Sequence, residues 1–268
     1  ICSVSSVRRV AAMLDLEPDA FGLGAALPRG WQFLLMAADT KRSQLRADGF
    51  PGLGVPMPDL GLPRLMLGGR TVAYKTDIPI GAAVTRRSCI RNISQKTNQS
   101  GPLVIATIEH ELTLSECQTL ALVETQTYLL LPASKGGSAV GVSKHPDELT
   151  GQFVKTVVPD ETLIFQYSAL GFNSHKIHID RSHARNVEGF PDLVVNGGLA
   201  TLLMTEFLRN DVNVDPAGVH VGPRIGALDA VAAQVLDLRP LLDLLRGHPH
   251  GTELGGTGHA QHEYEDTQ

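Results

Sequence analysis

The sequence predicts an α+β fold in which a strongly curved antiparallel sheet wraps around a buried helix, with two such units along the chain. Three observations indicate this fold. A segment with helical spacing of apolar residues precedes long alternating segments, a stretch rich in Gly, Ser and Pro follows, and a second pattern of strand, turn and helix then begins. Helices placed against one face of an antiparallel sheet are typical of the α+β class.

The first half contains one predicted helix and several predicted strands. A helix buried on one face is expected at residues 27 to 45, LPRGWQFLLMAADTKRSQL, which include the only tryptophan, Trp31. From Gly68 the pattern changes to period two in RTVAYKTDIPIGAAVTRRSCIRNI, GPLVIATIEHELTL and TLALVETQTYLLL. The turn-rich NQSG and SEC separate these segments, so they predict an antiparallel meander.

The second half begins after a predicted linker at residues 132–150, where PASKGGSAVGVSKHPDE lacks an apolar period. There VVPDETLIFQYSAL alternates like a strand, and NGGLATLLMTEFLRN has the pattern of a buried helix. We therefore expect one domain at residues 1–131 and a second, partial domain at 151–222. Residues 223–268 lack the pattern of a sheet and end in a Gly- and His-rich tail, for which we expect partial disorder.

Composition favours a globular protein that acts on small molecules. The chain has 268 residues, 43% of them hydrophobic and 19% charged, so it can bury a large core. A net charge of −5 argues against nucleic acid as a partner. Apolar runs such as LVVNGGLATLLM are too short to cross a bilayer, so no membrane partner is expected. We expect a cytoplasmic location, or the mitochondrial matrix if a transit peptide precedes Ile1.

The candidate site is FNSHKIHID, residues 172 to 180. His175, His178, Asp180 and His183 all have side chains that bind metals, but no HExxH signature is present, so we expect neither a metal nor a cofactor. Capping or packing of a turn is the structural alternative. The position between a predicted strand and a glycine-started helix instead favours acid/base chemistry, because it can bring such groups near backbone N–H donors.

The start of the second helix offers a place for a thioester oxygen. Gly197 and Gly198 leave their N–H groups unobstructed, so a carbonyl bound there would have its developing enolate stabilised. A histidine with a pKa near neutrality could move a proton of water. The prediction is reversible addition of water to a C=C bond conjugated with a carbonyl. Thioester hydrolysis is one alternative, and binding of acyl thioesters without turnover is another.

A resemblance to hotdog-fold, MaoC-like enoyl-thioester hydratases is carried by YSALGFNSHKIHIDRSHARNVEGFPDLVVNGGL. The branch with mesaconyl-CoA and itaconyl-CoA hydratases and hydroxyacyl-thioester dehydratase type 2 is the most similar. Its N-terminal domain resembles LPRGW, DGFPGLGVPMPDLGLPRLMLGGR and ISQKTNQSGPLVIATIEHEL here, so the match covers roughly residues 27–131 and 155–212.

The resemblance implies a double hotdog and a hydro-lyase. Its substrate would be an acyl-CoA or acyl-carrier thioester, such as mesaconyl- or itaconyl-CoA. Relatives imply that hotdog units pair within or between chains, so a homodimer is one of the expected arrangements. In relatives several strands follow the central helix, whereas residues from about 223 onward do not match them. The second unit is therefore expected to be incomplete.

The resemblance also implies catalytic roles. Relatives have an aspartate five residues before the catalytic histidine, where Asn173 stands before His178, and an asparagine where His175 stands. An amide cannot accept a proton, so His178 becomes the expected base, and Asn173 would orient water or substrate. Asp180 would either orient a histidine or serve as a first-turn carboxylate. Gly197 matches the position whose N–H contacts the oxyanion.

Substrate-binding roles are expected for His175, Gly198, Arg181 and Arg64. Arg181 flanks the site and could meet coenzyme A phosphates, although a solvated polar face is the alternative. Arg64 matches a motif that in relatives has a second arginine and an aromatic residue, which are Leu65 and Leu67 here.

Overall fold

A computed structural model of the chain describes residues 1–98, 101–133 and 155–212, all of which belong to the compact unit Ile1–Leu236. Most of the predicted linker and everything from residue 213 onward lie outside the described residues. The predicted domain boundaries, and the expected disorder of the tail, therefore stay predictions.

The sheet is built from the first half of the chain. Its strands are β1 Arg64–Tyr74, β2 Val84–Asn98, β3 Gly101–Leu114 and β4 Thr119–Leu131. They pair antiparallel in the order β1-β4-β3-β2, so β2, β3 and β4 form the predicted meander. Residues of β3 alternate between buried and partly exposed, as the period-two pattern predicts.

Strand β1 differs from a simple meander because it joins the sheet beside β4 and not beside β2. The segment between β1 and β2 pairs elsewhere: the Leu27 N–H donates to the Ile78 carbonyl at 2.8 Å, and Ala26 bridges Pro79. A tight hairpin between β1 and β2 is therefore absent. Register shifts interrupt all three strand pairings, and such irregularities bend a sheet and increase its twist.

The predicted helix at residues 27 to 45 is wrong. Two short 3₁₀ helices occupy this segment, Trp31–Leu35 and Arg42–Gln44. Gly30 precedes the first one with φ 97°, in the left-handed region, and a right-handed α-helix cannot continue through such a residue. Trp31 is nevertheless fully buried, so the apolar spacing identified a core segment and misassigned its backbone.

The predicted strand in VVPDETLIFQYSAL is also wrong, because the segment contains helix α2, Glu161–Leu170. The Asp160 carboxylate caps this helix by accepting the Leu163 N–H at 2.8 Å. Ile164 and Tyr167 are buried in the core at helical spacing. The N-cap and the helical spacing of buried residues together favour a helix over the strand suggested by the alternation of apolar and polar residues.

A further 3₁₀ helix spans Pro18–Ala20, and the remaining α-helices are α1 Val4–Met13, α3 Lys176–Ile179, α4 Arg181–Asn186 and α5 Gly197–Asn210. Helix α5 confirms the predicted glycine-started helix. All regular elements within residues 155–212 are helices, so a second sheet is not among the described residues. One apolar core joins both halves, including Val7, Val10, Trp31, Leu112, Leu122, Ile164, Leu199 and Leu202. No helix in the described part of the chain is long and apolar enough to cross a bilayer.

Candidate acid/base site

The two central histidines lie in the segment that follows α2: His175 is the N-cap residue of α3, and His178 lies within that short helix. This histidine turn, residues 172–180, follows a helix and not the predicted strand. The His175 N–H donates to Asn173 Oδ1 at 3.1 Å, and the Asn173 N–H donates to the Ser168 carbonyl at 2.8 Å. The rings of His175 and His178 stand edge to face, with centroids 5.5 Å apart. The turn thus brings the two imidazoles into contact.

His178 has a defined tautomer. Its side chain is buried, and Nδ1 lies 2.7 Å from the Val194 carbonyl oxygen. A carbonyl oxygen can only accept, so Nδ1 carries the proton and Nε2 keeps its lone pair. Burial lowers the pKa of His178 to about 4, against the opposing effect of the Val194 hydrogen bond. His178 is therefore neutral near pH 7, and its Nε2 can accept a proton, but burial places its pKa below the near-neutral value expected from the sequence.

His175 lies between an acidic and an aromatic side chain. Its Nε2 is 3.6 Å from Asp48 Oδ2, and its ring centroid is 5.4 Å from that of Phe50. Burial lowers the pKa of His175 to about 4, Asp48 opposes this shift, and Arg46 and His183 add to it. His175 is thus also neutral near pH 7.

Asp48 and Phe50 belong to a tight turn, residues 46–50 with the sequence RADGF, which packs on the histidine turn. The Lys176 N–H donates to the Asp48 carbonyl at 2.8 Å, and Ser174 Oγ donates to the Gly49 carbonyl at 2.6 Å. Gly49 has φ +79°, and a Cβ there would overlap the Ser174 carbonyl oxygen. Only glycine fits this close approach of the two backbones.

The first turn of α5 has no side-chain cap. Its N-cap residue, Asn196, makes no side-chain capping bond, and the first turn of this 14-residue helix has no acidic residue. The N–H groups of Gly197 and Gly198 therefore face no capping side chain at the positive end of the helix. Val194, which holds His178, lies three residues before Gly197. The backbone thus links the candidate base to the candidate oxyanion contact.

Close packing favours glycine at both positions and is tightest at Gly198. A Cβ at Gly198 would overlap Tyr167 Oη, and one at Gly197 would lie 3.1 Å from Leu67 Cδ2. Burial raises the pKa of Tyr167 to about 12, so its hydroxyl stays protonated beside the helix start. Tyr167 was missed in the sequence because its segment was interpreted as a strand.

Two predicted site residues lie on the surface beyond the histidines. Asp180 is exposed and caps α4 by accepting the His183 N–H at 3.0 Å, which favours a structural role for its carboxylate. Arg181 pairs with Glu161 at 2.8 Å and with Asp192 at 2.7 Å. A role for Arg181 in binding coenzyme A phosphates would require it to leave these partners.

Arg64 is partly buried and also has protein partners. Its Nε lies 4.0 Å from Glu188 Oε2, and its guanidinium lies over the Phe190 ring at 5.9 Å from the centroid. His183 approaches the same carboxylate at 3.7 Å. Among the residues that the structure describes, no group of three or more His, Cys, Asp and Glu side chains is arranged to hold a metal ion.

Comparison with known proteins gives a family match and a structural likeness. A family model described as hydroxyacyl-thioester dehydratase type 2 matches residues 30–220. The mesaconyl-C(4)-CoA hydratase of Chloroflexus aurantiacus is 33% identical over 250 residues, which cover 91% of this chain and 84% of that protein. The mitochondrial hydroxyacyl-thioester dehydratase type 2 of Schizosaccharomyces pombe is 30% identical over 102 residues, which cover 38% and 30% of the respective chains.

A solved MaoC-like dehydratase has a similar fold. It superimposes with a TM-score of 0.52 at 14% identity, covering 77% of this chain and 73% of the other. Together with the antiparallel sheet and its helices, this likeness confirms the α+β hotdog fold expected from the sequence.

Proposed function

Since this chain belongs to the hydroxyacyl-thioester dehydratase type 2 family, we propose that it hydrates an enoyl-CoA of the mesaconyl or itaconyl type, and dehydrates the product, through His178. Membership in this family of hydro-lyases confirms the resemblance seen in the sequence. The observation that carries the role of His178 is its geometry: Nδ1 is bound to the Val194 carbonyl, which leaves Nε2 free as a base.

The proposed reaction uses the helix start and the histidine together. The thioester oxygen would accept hydrogen bonds from the N–H groups of Gly197 and Gly198. Negative charge develops on this oxygen as the enolate forms, so these bonds would stabilise it. The oxygen of water would bond to the β-carbon while His178 Nε2 takes the proton of that water. Transfer of that proton from His178 Nε2 to the α-carbon would complete the addition and restore the neutral histidine, and dehydration is the reverse.

Asn173 has a supporting role in this proposal. Its Oδ1 already accepts the His175 N–H, so the amide nitrogen is the part of the side chain that remains for water or substrate. An NH₂ group can donate to the oxygen of water but cannot take its proton. This chemistry supports orientation by Asn173 and proton transfer by His178.

The mesaconyl or itaconyl acyl group is proposed from the name of the Chloroflexus relative, which shares 33% identity with this chain. A homodimer and a cytoplasmic location complete the proposal. Light scattering after size-exclusion chromatography checks the first, and cell fractionation checks the second.

The decisive experiment follows the ultraviolet absorbance of the conjugated thioester. We expect the wild-type protein to reduce the absorbance of crotonyl-, mesaconyl- or itaconyl-CoA, and His178→Ala to abolish this activity. Far-UV circular dichroism of His178→Ala should match that of the wild type, which separates lost chemistry from lost folding. Release of free thiol from saturated acyl-CoA would instead indicate a thioesterase. Tight binding of all these thioesters without turnover would indicate a binding protein.

A further inference from the structure

The histidine turn has no carboxylate of its own that faces His175 or His178. Asn173 occupies the place where relatives of the wider family have an aspartate, and the exposed Asp180 carboxylate caps α4. A carboxylate nevertheless faces His175: Asp48 Oδ2 lies 3.6 Å from His175 Nε2. It comes from the RADGF turn in the first half of the chain.

We propose that Asp48 is a positioning residue that orients His175 and fixes its tautomer, so that an acid/base site carried by the second half is completed by the first half. This inference rests on the proposed hydratase function. An Nε2–H directed at the carboxylate would leave the lone pair of His175 on Nδ1. Asp48 would also stabilise the imidazolium if His175 takes up a proton during turnover.

The Asp48 carboxylate is itself held in place. Oδ1 accepts the Phe50 N–H at 3.0 Å, and Oδ2 lies 3.0 Å from a guanidinium nitrogen of Arg46. The RADGF turn is closed by a hydrogen bond from the Gly49 N–H to the Arg46 carbonyl at 2.8 Å. The turn therefore presents a fixed carboxylate, which is what positioning of a ring requires.

The RADGF turn is also anchored directly to the histidine turn. Lys176 Nζ donates to the Ala47 carbonyl at 2.8 Å, in addition to the bonds from the Lys176 N–H and from Ser174 Oγ. These contacts bracket His175 on both sides in sequence. The distance between Asp48 and His175 is thus set by several independent bonds.

The charged groups around His175 shift its pKa in opposite directions, which provides a test. Asp48 and Arg46 face it from the RADGF turn, and His178 and His183 face it from α3 and α4. Asp48 favours the protonated ring, whereas Arg46 disfavours it. Removing one charge at a time should therefore move the pKa of His175 in opposite directions.

The experiment compares Asp48→Asn with Arg46→Gln. Asparagine retains an oxygen for the Phe50 N–H, so Asp48→Asn removes the charge and preserves the RADGF turn. We expect Asp48→Asn to lower kcat by about tenfold to a hundredfold, the usual cost of losing a partner that orients a functional imidazole. In ¹⁵N-resolved NMR titrations, assigned with His175→Gln, it should lower the pKa of His175 and mix its tautomers. Arg46→Gln should raise that pKa and retain the Nε2–H tautomer.

The outcomes separate this inference from the proposed function. An unchanged tautomer and pKa of His175 in Asp48→Asn overturns it, whatever happens to kcat, because a purely structural loss does not move those signals. An unchanged kcat overturns the positioning role. Absence of hydratase activity in the wild type would reject the proposed function, while the NMR signals would still decide whether Asp48 controls His175. If Asp48→Asn does not fold, the tautomer of His175 in the wild type decides, since a proton on Nδ1 rather than on Nε2 rejects the arrangement.

Discussion

At the scale of single residues, the two buried histidines make folding sensitive to acid. The pKa values of His175 and His178 fall from an ordinary 6.5 to about 4 in the folded protein. Between pH 6.5 and pH 4 the unfolded chain therefore binds protons that the folded protein does not, and the free energy of unfolding decreases as the pH falls. Each ring contributes up to about 3 kcal/mol to this loss.

Urea denaturation at pH 7 and near pH 4.5 measures this effect. We expect a lower free energy of unfolding at the acidic pH, and a smaller difference between the two in His178→Gln, which cannot titrate there. Equal pH dependence in the wild type and in His178→Gln would contradict the prediction that burial of His178 carries the effect.

Substitution of Gly198 should reduce both stability and turnover. Gly198→Ala would place a Cβ against Tyr167 Oη, and the Tyr167 ring is stacked on Phe33 with centroids 4.6 Å apart, so it cannot easily yield. Overpacking of this kind costs about 1–3 kcal/mol, and it should also lower kcat by displacing the helix start. Gly69→Ala is the control, because a Cβ at Gly69 meets nothing within 4 Å. Equal thermal stability and turnover of the two variants would contradict the prediction.

At the scale of elements, the sheet contains a buried ion pair between β1 and β4. Arg70 Nε lies 2.8 Å from Glu124 Oε1, although the N–H is not aligned for a hydrogen bond. Glu124 is fully buried and accepts hydrogen bonds from Gln32 Nε2 at 2.9 Å and from Gln126 Nε2 at 2.5 Å. The polar groups on this face thus depend on one another.

Removing one member of this pair should destabilise the protein strongly. Arg70→Met leaves the Glu124 charge buried without its cation, which typically costs about 3–5 kcal/mol. The double variant Arg70→Met, Glu124→Gln should recover part of this loss, because it removes the stranded charge. Urea denaturation of both variants and of Glu124→Gln completes a double-mutant cycle, and additive effects would argue against a direct interaction.

Elements with a strong period were predictable, and elements set by local backbone chemistry were not. The strands β2, β3 and β4 follow from alternation, and α5 follows from glycines ahead of an apolar stripe. Helix α2 was missed because the alternation of apolar and polar residues in its segment was given more weight than the capping residue Asp160. The 3₁₀ helices within residues 27 to 45 were missed because apolar spacing indicates a buried face and does not distinguish a 3₁₀ from an α backbone.

The contact between the rings of His175 and His178 was predictable, because only three positions separate the two residues in the sequence. Nothing in the sequence indicates that Asp48 lies near His175. Its turn meets the histidine turn across 125 residues, at the bond from Ser174 Oγ to the Gly49 carbonyl, and only the folded structure brings the two turns together.

At the scale of the whole molecule, the shared core predicts cooperative unfolding of both halves. Trp31 Nε1 donates to Glu206 Oε1 at 2.6 Å across 175 residues, and the Arg209 guanidinium donates to the Arg29 carbonyl. We expect the fluorescence of Trp31 and the far-UV circular dichroism to change in one coincident transition during urea denaturation. Separate transitions, with binding of an apolar dye between them, would instead support the expectation that the second unit is incomplete.

The packing of the RADGF turn on the histidine turn has a kinetic consequence. Contacts between residues far apart in sequence raise the contact order, and folding slows as the chain closes long loops. The pairing of β3 with β4 needs only a short turn, whereas the contact of Gly49 with Ser174 closes a loop of 125 residues. During refolding, strand signals should therefore recover before enzymatic activity, since the candidate acid/base site is assembled only once the two ends of that loop have met.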